Sequence, residues 1–290
     1  MRLDRIITLT LGRYFQRTGG GGWKFRLPIL MYHHVGEDPE PGVSAYHRTN
    51  TTAAMFRRQI GILAEEGYRT MDLSEAAELL GQQRPLAEKS VVITFDDGFR
   101  SFYTQAFPVL DDYGFTATMF LPTAFIGTAR LSFKNTECLT WDEVRDLKRS
   151  GVSFGSHTVN HPKLVDLSLE EIDRELRASK NELEQRLGGR VATFAYPFAF
   201  PHGDRAFQRN LKSLLVEAGY ACCVTTELGR ARLGEDPYRL RRLPVNSLDD
   251  AALFRAKLEG GYDWLAWPQA MVKRIRLAVR SFTGKDHFSN

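Results

Sequence analysis

The chain has 290 residues, of which 43% are apolar and 26% charged, and its formal net charge is +4. That length accommodates one α/β barrel domain with extensions, and the apolar share is ordinary for a globular protein. The mild charge gives no argument for nucleic acid, no apolar run approaches a membrane span, and three irregularly spaced cysteines give no disulfide framework, leaving the redox compartment open.

The stretch 1–10 carries a short apolar patch, Ile6-Ile7-Thr8-Leu9, without a signal-peptide core or a small-residue cleavage site. A cytoplasmic or membrane-peripheral location is therefore expected, with the cell envelope or the extracellular space as the alternative. Glycines 19–22 read as a linker that sets residues 1–27 apart as a basic N-terminal extension. Residues 28–35 form the first apolar strand. Residues 51–67 space Phe56, Ile60 and Leu63 at helical intervals and stop at Gly67. A second helix follows at 73–80. The apolar strand 91–95 runs into Asp96, Asp97 and Gly98. A helix at 102–113, a strand at 117–121, a helix at 141–150 and a short strand at 152–155 lead to His157. In 168–187, Ser168 and Glu171 make a capping-box pattern. Leu169, Ile172, Leu176, Leu183 and Leu187 repeat there at near-helical spacing, and Gly188-Gly189 ends the helix. A strand at 193–196, a helix at 209–218 and strands at 220–225 and 240–245 complete the order. Alternating strands and helices predict parallel βα units. Chemistry in such barrels sits at the C-terminal strand ends. Asp96, Asp97, His157 and the stretch after Tyr196 all fall there. The domain is expected over 28–262, with a basic tail at 263–290. Within it Lys273-Arg274-Ile275-Arg276-Leu277-Ala278-Val279-Arg280 reads as a solvated terminal helix, or alternatively as a peripheral membrane contact.

Two motifs carry chemistry. Val91-Val92-Ile93-Thr94-Phe95-Asp96-Asp97-Gly98 is a buried strand ending in two carboxylates. Side chains alternate faces along a strand, so the two acids diverge, one suited to a metal and one to a proton. The glycine lets the chain turn. Ser156-His157-Thr158-Val159-Asn160-His161 sets two imidazoles four residues apart, which one helical turn would bring to one face. Two histidines and one carboxylate with an open position suit catalytic zinc, and also other divalent metals, iron among them. Separately, an Asp-Asp-Gly is often a solvated turn and a histidine pair a helix surface. Together they read as a metal site. Cys138, Cys222 and Cys223 read as buried small hydrophobes.

Thr94-Phe95-Asp96-Asp97-Gly98 followed by His157-Thr158-Val159-Asn160-His161 resembles the polysaccharide deacetylase family, also called NodB homology domains or carbohydrate esterase family 4. The resemblance spans roughly 28–244. It implies a distorted (β/α) barrel of about seven parallel strands, NodB-like, and a circularly permuted arrangement is possible within the family. It implies a metal-dependent hydrolase removing acetyl groups from N-acetylated sugars, with zinc first among cofactors and cobalt, nickel or iron as alternatives. Asp97, His157 and His161 are then the metal ligands and Asp96 the general base.

The third family motif corresponds here to Ala195-Tyr196-Pro197-Phe198-Ala199. Ala195 stands where an arginine would orient the base, and Ala199 where a branch resembling exopolysaccharide deacetylases carries glycine. The backbone N–H near Phe198 remains available as an oxyanion donor. The late strand lacks the family's histidine, so the catalytic acid is assigned to His33 as imidazolium, with His34 as alternate and His202 next. Strand alternation admits only one of His33 and His34 to the pocket. Phe99, Tyr196, Pro197, Phe198 and Phe200 are candidates to line a sugar cleft. The implied partner is an acetylated amino-sugar polymer or a lipid-linked glycan, and not nucleic acid. Two other functions fit the same pattern: a catalytically weak glycan-binding module, and a hydrolase of another non-peptide C–N bond.

Overall fold

The computed structural model describes residues 2–18, 26–37, 42–44, 47–266, 268, 269 and 271. The glycine linker and the basic stretch 273–280 lie outside the described residues. Seven parallel strands close into a barrel. They are β1 (Ile29–Tyr32), β2 (Ser90–Phe95), β3 (Thr118–Leu121), β4 (Ser153–Ser156), β5 (Thr193–Ala195), β6 (Cys222–Leu228) and β7 (Leu240–Pro244). They follow one another around the ring in chain order, and β1 closes it by pairing with both β2 and β7. The adjacency of first and last strands is what a permuted barrel requires. The short strand Arg69–Thr70 pairs with the start of β2.

Strand parity separates two cores, because alternate side chains face opposite sides of a sheet. Ile29, Val92, Phe120, Ala195, Val224 and Leu240 cluster inside the barrel. Leu30, Ile93, Met119, Phe194, Cys223 and Leu243 face the surrounding helices. Continuing the inward parity past each strand brings Met31 then His33, Thr94 then Asp96, and Arg242, to the upper end of the barrel. Gly155 is required by this packing: a Cβ there would lie 2.4 Å from Thr193 Oγ1 and 2.5 Å from the Phe120 ring. All three cysteines are free and buried.

The helices match their signals with local differences. α1 (Leu3–Thr18), α2 (Ala53–Glu65), α3 (Leu73–Gly81), α4 (Phe107–Asp112), α5 (Trp141–Arg149), α6 (Leu169–Leu187), α7 (Arg205–Glu217) and α8 (Ala251–Leu258) surround the barrel. α6 has the expected capping box of Ser168 and Glu171, and Gly188 closes it with φ of 63°, a left-handed residue that glycine adopts without strain. Before α4, residues Phe102–Ala106 wind as a π-helix. α7 begins at Arg205, earlier than expected, because the Asp204 side chain caps the Phe207 N–H. The first strand is interrupted at His33, after which His34–Val35 pairs with Asn50–Thr51. The N-terminal segment is tied to the barrel: Arg2 pairs with Asp249 at 2.8 Å and the Tyr262 hydroxyl donates to Asp4 at 2.8 Å. No helix of the described residues is long and apolar enough to cross a membrane.

Candidate active site

A cavity of about 620 Å³ opens at the C-terminal ends of the strands, and His33, Asp96, Asp97, His157, His161, Tyr196 and Phe198 line it together. The turn after β2 explains how adjacent acids take separate positions. Asp97 has φ of 70° and Gly98 φ of 64°, both left-handed. The reversal leaves Asp96 on the inward parity of β2 and swings Asp97 toward the histidines. A Cβ on Gly98 would lie 2.9 Å from Ile126 and 3.0 Å from Leu121.

The histidine pair is not on a helical turn, contrary to the spacing argument. Residues 157–161 form a loop after β4, with Thr158 at φ 69° and His161 at φ 53°. A buried β-branched residue in that region is strained. Hydrogen bonds hold it: His161 N donates to Thr158 Oγ1 at 2.9 Å, Thr158 N to Ser156 Oγ at 3.2 Å, and Thr123 N to the Thr158 carbonyl at 3.1 Å. From α6, the Glu175 carboxylate accepts the Val159 and Asn160 amides at 2.7 and 3.0 Å. Loop geometry, rather than helical periodicity, brings the two rings to 4.7 Å between centroids.

Asp97, His157 and His161 each offer a buried ligand atom, and these atoms lie within 4.8 Å of one another. His161 Nε2 is 3.2 Å and His157 Nε2 3.6 Å from Asp97 Oδ1. His157 Nδ1 lies 2.8 Å from the Ala195 carbonyl. That contact places the proton on Nδ1 and leaves Nε2 a lone-pair donor. Burial pushes the His161 imidazole below its ordinary value despite the Asp97 charge. Burial would raise Asp97, yet its carboxyl is held well below the usual carboxylate range, with the Lys134 ammonium 3.2 Å from Oδ2 among the groups that favour the charge. Asp97 Oδ1 is buried and has no hydrogen-bond partner. Three converging ligand atoms, one of them an orphaned buried oxygen, fit a divalent cation.

Asp96 has a different partner. Arg242 grips it bidentately, Nη1 to Oδ1 at 2.7 Å and Nη2 to Oδ2 at 2.8 Å, with both side chains buried. The guanidinium also donates to Thr94 Oγ1 at 3.2 Å and the Thr225 carbonyl at 3.1 Å. Burial would raise Asp96, and Arg242 more than offsets it, so the carboxyl is held below its ordinary value. The orienting arginine missing at Ala195 thus arrives from β7. Ala195 itself supplies the carbonyl that holds His157. Phe198, not Ala199, is the left-handed residue of its loop, at φ 59°, so the alanine at 199 is unstrained.

His33 lines the cavity with Nε2 3.9 Å from Asp96 Oδ2. His34 faces away, its Nδ1 2.6 Å from Asn50 Oδ1. Burial pushes the His33 imidazole below its ordinary value, the carboxylates of Asp96 and Asp97 only partly restoring it. His202 pairs with Glu227 at 2.7 Å and does not line the cavity. Tyr196 and Phe198 line the cavity, whereas Phe99, Pro197 and Phe200 do not. Phe99 is instead buried against His34 and Phe133.

Two further groups carried no sequence signal. Lys134, in the turn of the hairpin Ser132–Phe133 and Thr136–Glu137, places Nζ 3.2 Å from Asp97 Oδ2. Gln269, in the presumed tail, also lines the cavity.

The family model described as polysaccharide deacetylase matches residues 83–222. YxkH of Bacillus subtilis (strain 168) is 30% identical over 234 residues, covering 81% of this chain and 76% of that protein. The poly-beta-1,6-N-acetyl-D-glucosamine N-deacetylase of Staphylococcus epidermidis is 26% identical over 235 residues, covering 75% of this chain and 78% of that one. Among solved structures, the Streptococcus pyogenes deacetylase PplD in complex with acetate superposes with a TM-score of 0.69 at 27% identity, covering 80% of this chain and 98% of that one. IcaB from Ammonifex degensii shares the fold, with a TM-score of 0.67 at 24% identity over 81% of this chain and 97% of that one.

Proposed function

The chain belongs to the polysaccharide deacetylase family and is a deacetylase, and from that premise we propose that it is a metal-dependent hydrolase of the N-acetyl groups of an amino-sugar polymer. The observation that carries the proposal is the pairing of two carboxylates in unlike environments. Asp97 faces two imidazoles, at 3.2 and 3.6 Å from its Oδ1, and Asp96 faces an arginine inside the barrel. The name of the Staphylococcus epidermidis relative supports a β-1,6-linked N-acetylglucosamine polymer as substrate.

Asp97, His157 and His161 would hold a divalent metal, zinc first, and the bound ion would supply Lewis acidity toward the acetyl carbonyl and an acidified water. Asp96 takes the proton of the attacking water, and Arg242 keeps it ionised and aimed. The Phe198 N–H donates to the oxyanion as the carbonyl becomes tetrahedral. An amide nitrogen leaves only when protonated. His33, with Nε2 3.9 Å from Asp96 Oδ2, receives a proton from Asp96 and delivers it to that nitrogen. The water oxygen ends in acetate and its protons on the amine. Tyr196 and Phe198 flank the sugar, an arrangement aromatic faces favour. Incubating the protein with β-1,6-linked N-acetylglucosamine oligomers tests the proposal by acetate release. Wild type should release acetate, and Asp96→Asn should lower the rate by about 10²–10⁴, the range of general-base catalysis. Comparable release by both overturns the role of Asp96, and no release by wild type overturns the substrate.

A further inference from the structure

The cleft has a second wall that belongs to no family motif. Leu265, Pro268 and Gln269 line it opposite the strand ends. They lie beyond α8, in a segment whose composition reads as a tail. The segment is fixed at several points. Trp264 Nε1 donates to Thr8 Oγ1 of α1 at 3.1 Å. Asp263 accepts from Arg26 Nη1 at 2.8 Å and from the Arg230 amide at 3.0 Å. At its far end the Gln269 amide behaves like a residue of a neighbouring strand. Its Oε1 accepts the Leu228 N–H at 3.0 Å, and its Nε2 donates to the Thr226 carbonyl at 3.0 Å. Thr226 and Leu228 sit at the end of β6 and themselves line the cavity. A primary amide satisfies both groups at once, since its oxygen accepts from the one and its nitrogen donates to the other.

We propose that Gln269 is a positioning residue that seats Leu265 and Pro268 as an apolar platform for a sugar ring flanking the one deacetylated. The platform is apolar and close to Met31, Leu228 and Val245. It suits the C–H face of a pyranose, while the cations of the same cavity, Arg48 and Lys134, lie outside the platform. The small acetyl group needs only the metal-side end of the cleft, so this wall would act on chain length and not on bond breaking. The inference rests on the deacetylase reading above.

The test compares wild type, Gln269→Ala, Gln269→Glu and Leu265→Ala on two substrates: a β-1,6-linked N-acetylglucosamine pentamer and an aryl acetate. The expected result is a KM for the pentamer raised about tenfold, the lower end for lost apolar contact in a pocket, with kcat within twofold. The ratio of kcat/KM between pentamer and aryl acetate should fall by a similar factor. Gln269→Glu should resemble Gln269→Ala, because a carboxylate cannot donate to the Thr226 carbonyl. Leu265→Ala should reproduce the KM effect with the anchor intact, which separates loss of the wall from misfolding. Calorimetric binding of the fully deacetylated pentamer gives a readout independent of turnover and should weaken in step. An active wild type whose variants keep their pentamer KM and product affinity overturns the platform. Equal losses on both substrates also overturn it. A wild type without acetate release but with product binding weakened by the variants overturns the deacetylase reading alone.

Discussion

Replacing Arg242 by methionine removes a cation of similar reach and leaves a carboxylate stranded inside the barrel. Arg242 gives Asp96 two hydrogen bonds, at 2.7 and 2.8 Å, and no solvent reaches the guanidinium. Charge-assisted hydrogen bonds are worth roughly 1.5–3 kcal/mol each, which for two gives a loss of the same order as the ~3–5 kcal/mol measured when a buried ion pair loses one partner. We expect Arg242→Met to lose about 4 kcal/mol in urea unfolding at neutral pH. The cost belongs to the unpaired charge, not to the missing contact alone. The double variant Asp96→Asn with Arg242→Met should therefore recover at least about half of the loss. Acetate release should fall in the single variant even under conditions where it is folded, because an unpaired buried carboxyl is driven toward its neutral form. A double variant as unstable as the sum of the singles would refute the reasoning, as would a single variant with wild-type stability and rate.

His33→Ala should lower amide turnover far more than turnover of an aryl acetate, whose leaving group departs without protonation. His34→Ala, which loses the Asn50 and Phe99 contacts outside the cavity, should spare the ratio of the two rates; a larger loss from His34→Ala would transfer the acid role to it. Gly98→Ala forces a side chain onto a residue at φ 64° and against Ile126 and Leu121, so its urea midpoint should drop by an amount worth more than about 1 kcal/mol, and an unchanged midpoint would show that the turn relaxes freely.

The barrel was legible because each strand and helix carries its own local signal: the apolar run before Asp96, the capping box at Ser168 and Glu171, and the stop at Gly188. Strand alternation admitted only one of His33 and His34 to the pocket, and the barrel admits His33. The histidine pair was identified correctly as a pair and wrongly as a helical turn. Spacing of four fits a helix by periodicity, but the left-handed Thr158 is fixed by Ser156, Thr123 and Glu175 through contacts no local pattern shows. Arg242 was missed because its partner lies 146 residues away. Its signal was present as a charged residue at an inward position of an apolar strand, and arginine is almost never fully buried unless paired. Gln269 and Lys134 had no such signal, since an exposed-looking glutamine and a turn lysine are ordinary until the fold closes over them.

The central claim is that Asp97, His157 and His161 hold one divalent metal on which deacetylation depends. Elemental analysis of purified wild type beside Asp97→Ala, His157→Ala and His161→Ala, each with its acetate release, tests it most directly. We expect roughly one metal ion per chain in wild type, loss of metal in all three variants, and loss of activity in proportion. Wild-type metal content in all three variants, or full activity in metal-free protein, would contradict it.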